Sequence, residues 1–441
     1  MKTYKIANIS LGCEKNLVDS EMILGAFHKA NFEITTKLDE ADIIIINTCG
    51  FITSAKEEAI NTIFDCLDYQ DNGAKIVCCG CLVQRYLDDL KKEIPEVDLW
   101  IPIRDYYRFG ELLSTILDED YDDMKVKMED RLVSTPPYMA YVRISDGCNN
   151  RCTYCAIPLI RGGFVSREED DIYYEVEKLV KDGYQEINLI SQDLTNYGYD
   201  IRKNTGRDVT LVTLLKKLVS IPHLKWLRML YLYPDEISDE LIDFVRDNNK
   251  VLPYFDIPIQ HASNKILKWM NRRGTSEEIE TLVEKIRDRV PNAVIRTTLI
   301  LGFPHESNKD FEILKDFIKR VKFDHLGAFT YSKEEDTESY SMNGQVPEKI
   351  KNERLSEIME IQRWVSLENN KKIIGKSFEC VIESYDEELN AFKGRTYAFA
   401  PDDIDGCVII DYVDNIIIGE FYEVEIYDVD FYDIFGKVKN R

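Results

Sequence analysis

The stretch Gly147-Cys148-Asn149-Asn150-Arg151-Cys152-Thr153-Tyr154-Cys155 carries three cysteines in the spacing CxxxCxxC. Three closely spaced thiolates can each bind one iron of a cubane iron–sulfur cluster. Because no fourth ligand lies nearby in the sequence, one iron would keep an open position, which is the mark of a catalytic metal. The spacing therefore predicts a reactive iron–sulfur site, with a zinc knuckle or a chance pattern as the alternative.

The cysteine segment follows a predicted strand in a central region of alternating strands and helices, residues 135–374. Apolar runs predict strands at residues 140–144, 186–190, 226–230, 254–257, 294–300 and 326–330. A long helix is predicted between Pro347 and Gly375, residue types favoured at a helix start and after a helix end. This alternation predicts an incomplete (β/α) barrel, whose active site lies in the loops that follow the strands.

The region before it, residues 1–134, also alternates strand and helix patterns. Strands are predicted at residues 4–9, 42–46 and 75–79, and each is followed by a predicted helix. Two helices of the chain are predicted to start at capping boxes, one formed by Ser54 and Glu57 and one by Ser166 and Glu169. The order of elements in residues 1–134 predicts a parallel, doubly wound sheet.

Three further cysteines, Cys13, Cys49 and Cys81, each lie just beyond one of these predicted strands. Because the carboxyl ends of parallel strands meet at one sheet edge, the three thiols are expected to converge there. A second open iron–sulfur site and three buried structural cysteines are both compatible with this spacing. Cys79 is the rival of Cys81 as third ligand. The remaining cysteines are expected to be structural: Cys66, Cys78, Cys79, Cys380 and Cys407.

The last region, residues 375–441, is rich in β-branched and aromatic residues and has turn signals at Lys393-Gly394, Asp405-Gly406 and Asp414-Asn415. It predicts a small antiparallel barrel of about five strands. The predicted fold class is therefore α/β, with a doubly wound sheet, an incomplete barrel and a small β-barrel in that order.

The charge balance argues against a protein that binds nucleic acid over a broad surface. The 441 residues include 80 acids and 56 bases, a net charge of −24, and phosphates repel such a chain unless its bases are clustered. Residues 375–441 alone carry 16 acids and 6 bases. No apolar run approaches the roughly 20 residues needed to cross a bilayer, and no signal peptide is evident. We expect a cytoplasmic protein that contacts no membrane, whose 11 cysteines are not paired as disulfides.

Several weaker features lie where a barrel would place cofactor contacts. Tyr154 could pack on an adenine ring, and polar or flexible residues follow three of the predicted strands. The candidate cofactor contacts are Tyr154, Ser191, Gln192, Asp193, Gln260 and Gly302, any of which could equally be an ordinary loop residue. The pair Arg272-Arg273 is expected to form solvated surface.

Taken together, the motifs resemble the radical S-adenosylmethionine (AdoMet) methylthiotransferase family over essentially the whole chain. The CxxxCxxC segment resembles the AdoMet site of radical enzymes, and the last region resembles a TRAM domain, the small barrel that ends this family. The N-terminal domain of the family is matched by Leu11-Gly12-Cys13, Asn47-Thr48-Cys49, Gly80-Cys81-Leu82-Val83-Gln84-Arg85-Tyr86 and, further on, Arg161-Gly162 with Ser166-Arg167. The resemblance implies domains at residues 1–134, 135–374 and 375–441.

The resemblance also implies a cofactor set of two 4Fe-4S clusters and AdoMet. Cys148, Cys152 and Cys155 would hold the cluster that cleaves AdoMet, so that hydrogen is removed from an unactivated carbon. The other cluster would carry the sulfur that is methylated and transferred, and it would be held by Cys13, Cys49 and Cys81. The resemblance thus selects Cys81 over Cys79. It assigns both triads catalytic roles.

Substrate divides this family between tRNA adenosine and an aspartate of small-subunit ribosomal protein uS12. The stretches Tyr231-Leu232-Tyr233-Pro234-Asp235-Glu236 and Asp256-Ile257-Pro258-Ile259-Gln260-His261-Ala262-Ser263 resemble the ribosomal-protein branch. We therefore expect uS12 or the small ribosomal subunit as partner, an electron donor such as flavodoxin or ferredoxin, no direct tRNA binding, and a monomer. The alternatives are a tRNA methylthiotransferase, an iron–sulfur redox sensor, and an RNA-binding protein without catalysis.

Overall fold

A computed structural model describes residues 4–439, and its first domain is a five-stranded parallel sheet in the order β2-β1-β3-β4-β5. The central strand is buried along its whole length, because helices cover both faces of the sheet. The strands are β1 Lys5–Ser10, β2 Glu33–Ile34, β3 Ile43–Thr48, β4 Lys75–Gly80 and β5 Leu99–Pro102. The helices are α1 Glu14–Lys29, α2 Thr53–Leu67, α3 Cys81–Glu93 and α4 Phe109–Leu113. This confirms the predicted doubly wound sheet.

The second domain has six parallel strands in sequential order and does not close, as expected of an incomplete barrel. The barrel strands are β6 Met139–Arg143, β9 Glu186–Ile190, β10 Trp226–Met229, β11 Val251–Asp256, β12 Val294–Leu301 and β13 His325–Thr330; β7 Ser145–Asp146 and β8 Val165–Ser166 form a small ribbon. The helices are α5 Ile157–Ile160, α6 Glu169–Lys181, α7 Tyr199–Thr205, α8 Leu211–Leu218, α9 Asp239–Asp247, α10 Asn264–Trp269, α11 Ser276–Arg289, α12 Asn308–Val321 and α13 Glu348–Lys371.

The third domain is a closed barrel of five strands in the order β14-β15-β16-β18-β17. Its strands are β14 Ser377–Asp386, β15 Ala391–Thr396, β16 Val408–Asp411, β17 Phe421–Val429 and β18 Ile434–Val438. All neighbouring strands are antiparallel except β16 and β18, which run parallel. The predicted small β-barrel is thus confirmed. No helix among residues 4–439 is long and apolar enough to cross a membrane.

Both predicted capping boxes are wrong. Helix α2 begins at Thr53, one residue before Ser54, and no side chain caps it. Ser166 lies in β8, and its hydroxyl accepts a hydrogen bond from the Gly198 amide (2.9 Å). Helix α6 is preceded by Glu168 and also lacks a side-chain cap.

The two outer domains pack on opposite ends of the central barrel. The small barrel contacts the first residues of the central strands: Arg395 pairs with Glu186 (2.7 Å), and Phe421 packs edge-on against Trp226. The N-terminal domain packs at the other end, where helix α1 contributes Val18 to the apolar core inside the barrel. The carboxyl edges of the two parallel sheets therefore face each other.

Candidate active site

The loops that carry Cys13, Cys49 and Cys81 converge on one side chain, Asn16. Strands β1, β3 and β4 are neighbours in the sheet, so their following loops share one edge. The Asn16 amide donates to the Leu11 carbonyl (3.0 Å) and to the Thr48 carbonyl (3.0 Å). Its side-chain oxygen accepts from the Cys81 thiol (3.1 Å). One asparagine thus ties all three cysteine loops together, as the strand order predicts.

Cys79 and Cys81, the two rivals for the third position of the N-terminal triad, lie in different places in the fold. Cys79 lies inside β4 with no exposed surface, packed in the core beneath α1. Cys81 is the first residue of α3 and lies at the sheet edge, while Cys13 immediately precedes α1. Helix N-termini favour negatively charged groups such as thiolates. The sheet edge therefore offers Cys13, Cys49 and Cys81 as a convergent set.

The CxxxCxxC segment forms a loop beyond β6 that is held on several sides. The Thr153 amide donates to the Met270 carbonyl (3.1 Å), and its hydroxyl donates to the Trp269 carbonyl (2.8 Å), which anchors the loop to α10. The Asn150 amide group donates to Asp193 (2.6 Å). At Gly147, with φ of +72°, a Cβ would lie 2.2 Å from the Gly163 carbonyl oxygen, so only glycine fits this turn.

A buried ion network joins the two cysteine edges. Arg161, six residues after the last cysteine of the loop, pairs with Asp19 of α1 (2.7 Å). Arg143, the last residue of β6, pairs with the same carboxylate (2.6 Å). These two arginines hold the pKa of Asp19 below its ordinary value although burial opposes this. The network fixes the N-terminal sheet over the barrel edge that carries the CxxxCxxC loop.

A second group of ion pairs, here called the Glu334 clamp, joins the N-terminal domain to the central barrel through Arg85, Lys56, Glu334 and Glu335. Arg85 of α3 pairs with Glu334 (2.9 Å), and both side chains are almost completely buried. Lys56 of α2 pairs with Glu334 and with Glu335 (2.9 Å each). Both glutamates follow β13, the last barrel strand. Removing one partner of a buried pair leaves an uncompensated charge, so this clamp strongly constrains how the domains sit.

Each cysteine triad has one arginine in contact with one of its sulfurs. The Arg161 guanidinium lies 3.5 Å from the Cys81 sulfur and also donates to the Asn16 oxygen (2.8 Å). The Arg272 guanidinium lies 3.8 Å from the Cys152 sulfur and stacks over the Tyr233 ring (3.9 Å to its centroid). The expectation that Arg272 is a solvated surface residue is therefore wrong. Hydrogen bonds and positive charge at the sulfurs are levers that tune an iron–sulfur cluster.

Two of the predicted AdoMet contacts lie together beside the cysteine loop. Tyr154 packs edge-on against Phe303 (6.4 Å between centroids), which directly follows Gly302. The Gly302 amide donates to the buried carboxylate of Glu306 (2.6 Å), and a Cβ at this glycine would lie 2.3 Å from Lys351. The space next to Gly302 is thus filled by the Lys351 side chain, and the contacts of Tyr154 and Gly302 with AdoMet remain predictions.

The other four predicted AdoMet contacts, Ser191, Gln192, Asp193 and Gln260, differ in whether their side-chain polar atoms already have hydrogen-bond partners. The side-chain oxygens of Gln192 and Gln260 are buried and have no hydrogen-bond partner within residues 4–439. Such orphaned acceptors fit a polar ligand. Asp193 already accepts from Asn150, Thr195 and Asn196, and its amide donates to the Ser191 hydroxyl. Ser191 and Asp193 thus brace the loop, and their contact with AdoMet stays a prediction.

The donor sets fit iron–sulfur clusters in their chemistry. Burial raises the pKa of Cys81 and of Cys155 to about 12 and that of Cys148 to about 11, so binding to iron must displace the thiol protons. Within residues 4–439, no three His, Cys, Asp or Glu side chains are gathered to hold a single metal ion. A cubane does not require this, because each thiolate binds a different iron.

Sequence reasoning missed the polar residues that connect the two edges. Asn16, Asp19 and Arg143 belong to no motif described above, and Arg161 belongs only to the family resemblance. In the sequence they are only polar residues in or just before a predicted helix or at the end of a predicted strand. In the fold they are buried: Asn16 is 0% exposed, Asp19 2% and Arg143 7%. Their role depends on the packing of two domains.

Family models match three parts of the chain. They are described as Uncharacterized protein family UPF0004 over residues 5–102, the Radical SAM superfamily over residues 142–318, and the TRAM domain over residues 374–438. The three matches fall, in order, on the N-terminal sheet, the central barrel and the small barrel.

Among solved structures, the chain resembles the radical AdoMet methyltransferase TsrM from Kitasatospora setae, with a TM-score of 0.54 and 14% identity over 74% of this chain and 73% of that chain. It also resembles the cobalamin-dependent AdoMet radical enzyme OxsB, with a TM-score of 0.50 and 11% identity over 82% of this chain and 56% of that chain. At these identities the likeness concerns the fold alone.

Much more similar relatives share nearly the full length. The protein named ribosomal protein uS12 methylthiotransferase RimO from Acetivibrio thermocellus is 43% identical over 99% of each chain. The protein of the same name from Caldicellulosiruptor saccharolyticus is 45% identical over 98% of this chain and 99% of that one. The resemblance noted in the sequence is thereby confirmed. The chain belongs to the RimO family of ribosomal protein uS12 methylthiotransferases, within the radical AdoMet superfamily.

Proposed function

We propose that the chain adds a methylthio group to the β-carbon of an aspartate in ribosomal protein uS12. The observation that carries this proposal is that the two sheet edges that carry the predicted cysteine triads face each other and are joined by Arg161, which pairs with Asp19 and contacts Cys81. A sulfur-inserting enzyme needs one site that activates a carbon and one that delivers sulfur, and both must reach the same substrate. Relatives named uS12 methylthiotransferase support the same activity.

The proposal gives each triad a separate task. Cys148, Cys152 and Cys155 would hold the cluster that binds AdoMet, and Cys13, Cys49 and Cys81 would hold the sulfur-carrying cluster. When bound, these groups supply one-electron chemistry that removes hydrogen from a carbon and a methylated sulfur that replaces it. The chain's own residues bind, orient and hold the two edges at a fixed separation. Tyr154, Gln192, Gln260 and Gly302 would contact AdoMet.

The small barrel favours a protein substrate over tRNA. Exposed acids such as Glu387, Glu388, Asp411 and Asp414 lie on its surface, where they would repel phosphates and attract a basic ribosomal protein. Glu383 does not belong to this surface, because it pairs with the buried Arg395 (3.1 Å). The small barrel lies at the opposite end of the central strands from the cysteines, so its charge would steer approach and not touch the reacting carbon.

The remaining partners follow from this function. An electron donor such as a flavodoxin or a ferredoxin would supply the reducing electron. One chain would suffice, because both triads belong to the same chain. We propose the cytoplasm as the place of action, since ribosomes and their proteins are found there. Domain boundaries near residues 134 and 374 are part of the same proposal.

The function can be tested by mass measurement on competing substrates. The anaerobically reconstituted enzyme is incubated with AdoMet, a reductant, small ribosomal subunits and tRNA in one reaction. We expect a methylthio group on one aspartate of uS12 and none on tRNA, because the acidic surface disfavours RNA. Modification of tRNA with unmodified uS12 would contradict the proposed substrate.

A further inference from the structure

Lys15 is a buried cation beside the N-terminal cysteine triad, two residues after Cys13. Only 7% of its surface is exposed. Its ammonium lies 3.2 Å from the centroid of the Tyr231 ring and 3.7 Å from the Glu14 carboxylate. Within residues 4–439, this cation–π contact and this ion pair are the only polar interactions of the ammonium, and neither of them is a hydrogen bond.

An ammonium in this setting lacks the partners that burial demands. It has three N–H donors, and a buried charge is costly unless it is both paired and hydrogen-bonded. The Glu14 carboxylate lies beyond hydrogen-bond distance of the ammonium, at 3.7 Å, and accepts from the Tyr231 hydroxyl, which lies 3.0 and 3.1 Å from its two oxygens. The donors of Lys15 are therefore left for an acceptor that the chain does not provide.

The ring beneath Lys15 is fixed at the edge of the central barrel. Tyr231 follows β10 by two residues and has a left-handed backbone, with φ of +66°, which costs energy for any residue but glycine. Its amide donates to the Asp256 carboxylate (2.9 Å) at the end of β11, and Arg296 pairs with that carboxylate (3.0 Å). Strained residues held in this way cluster at ligand-binding sites.

Other cations of the interface already have acceptors. Arg143 and Arg161 both pair with Asp19, at 2.6 and 2.7 Å. Arg272 donates to the Pro258 carbonyl (2.6 Å). Lys15 differs from these three in having no hydrogen-bond acceptor among residues 4–439.

We propose that Lys15 binds the side-chain carboxylate of the substrate aspartate, an inference that rests on the proposed function. The carboxylate carbon of aspartate is bonded directly to the β-carbon that exchanges hydrogen for sulfur. A cation that holds the carboxylate next to Cys13 therefore presents the reacting carbon to the sulfur-carrying edge. Charge-assisted hydrogen bonds are shorter and stronger than neutral ones, so this contact also distinguishes an aspartate from an uncharged adenine.

The test compares two substrates and two enzymes in binding and in turnover. The substrates are uS12 and a uS12 variant in which the modified aspartate is asparagine. The unmodified enzyme is expected to bind the aspartate form about tenfold more tightly, the effect of one charged hydrogen bond. In Lys15→Met this preference is expected to disappear, with a raised KM for uS12 and unchanged iron content. Lys15→Gln is a second variant for the case that Lys15→Met does not fold, and it is expected to lose the preference in the same way.

A matched control makes the same change on the same helix. Lys29 near the end of α1 is 68% exposed in its side chain and pairs with Asp130 (2.9 Å), so Lys29→Met is expected to keep the preference for aspartate. A Lys15 variant with normal iron content that still prefers aspartate would overturn the inference, and so would an unmodified enzyme without any preference. Failure of the proposed function would show differently, as an unmodified enzyme that leaves uS12 unchanged.

Discussion

The Cys13→Ala variant is expected to transfer no sulfur to uS12 while it still cleaves AdoMet. Cys13 lies at the edge of the N-terminal sheet, whereas the CxxxCxxC loop is anchored to α10 of the central barrel through Thr153. Loss of one N-terminal thiol should thus leave AdoMet cleavage within about threefold, a change of less than ~1 kcal/mol in activation free energy. Both products, 5′-deoxyadenosine and methylthiolated uS12, are measured in one reaction.

The matched control for this variant is Cys66→Ala. Cys66 lies on α2 and is 2% exposed, but it packs in the apolar core away from the sheet edge. This control is expected to retain both AdoMet cleavage and sulfur transfer. If Cys13→Ala also retained sulfur transfer, the N-terminal triad would not be the sulfur site.

The Cys152→Ala variant is expected to lose both reactions, down to the level seen without enzyme. Cys152 is the middle cysteine of the CxxxCxxC loop and the one that Arg272 contacts. Sulfur transfer requires prior activation of the substrate carbon, so it cannot survive without AdoMet cleavage. The measurement is again the yield of 5′-deoxyadenosine and of methylthiolated uS12.

The control here is Cys407→Ala in the small barrel. Cys407 is 8% exposed and lies in the barrel that packs on the opposite end of the central strands. We expect it to keep both reactions. AdoMet cleavage that persists in Cys152→Ala would assign the reactive cluster to other residues.

Much of the fold could be predicted because local patterns and the final structure agree. The isoleucine run of β3 is an obvious buried strand, and its neighbours β1 and β4 follow from the right-handed crossover rule. Convergence of Cys13, Cys49 and Cys81 follows from that strand order alone. The CxxxCxxC spacing likewise predicts an iron–sulfur site from the sequence alone.

The contacts between domains could not be predicted, because they depend on how two separately recognisable folds dock. Helix α2 begins at Thr53 and not after the predicted cap Ser54, and the Thr53 hydroxyl donates to Glu334, 281 residues away (3.1 Å). The contact of Arg161 with Cys81 and that of Lys15 with Tyr231 likewise join different domains. Periodicity and turn signals carry no information about such pairs.

The central claim is that two separate triads hold two clusters, and iron content tests it most directly. The anaerobically reconstituted enzyme should bind about eight iron atoms per chain, as two cubane clusters contain. Cys13→Ala and Cys152→Ala should each bind about four iron atoms, because each variant lacks one cysteine of one triad and keeps the other triad intact. About four irons in the unmodified enzyme, or stoichiometric zinc, would contradict the claim.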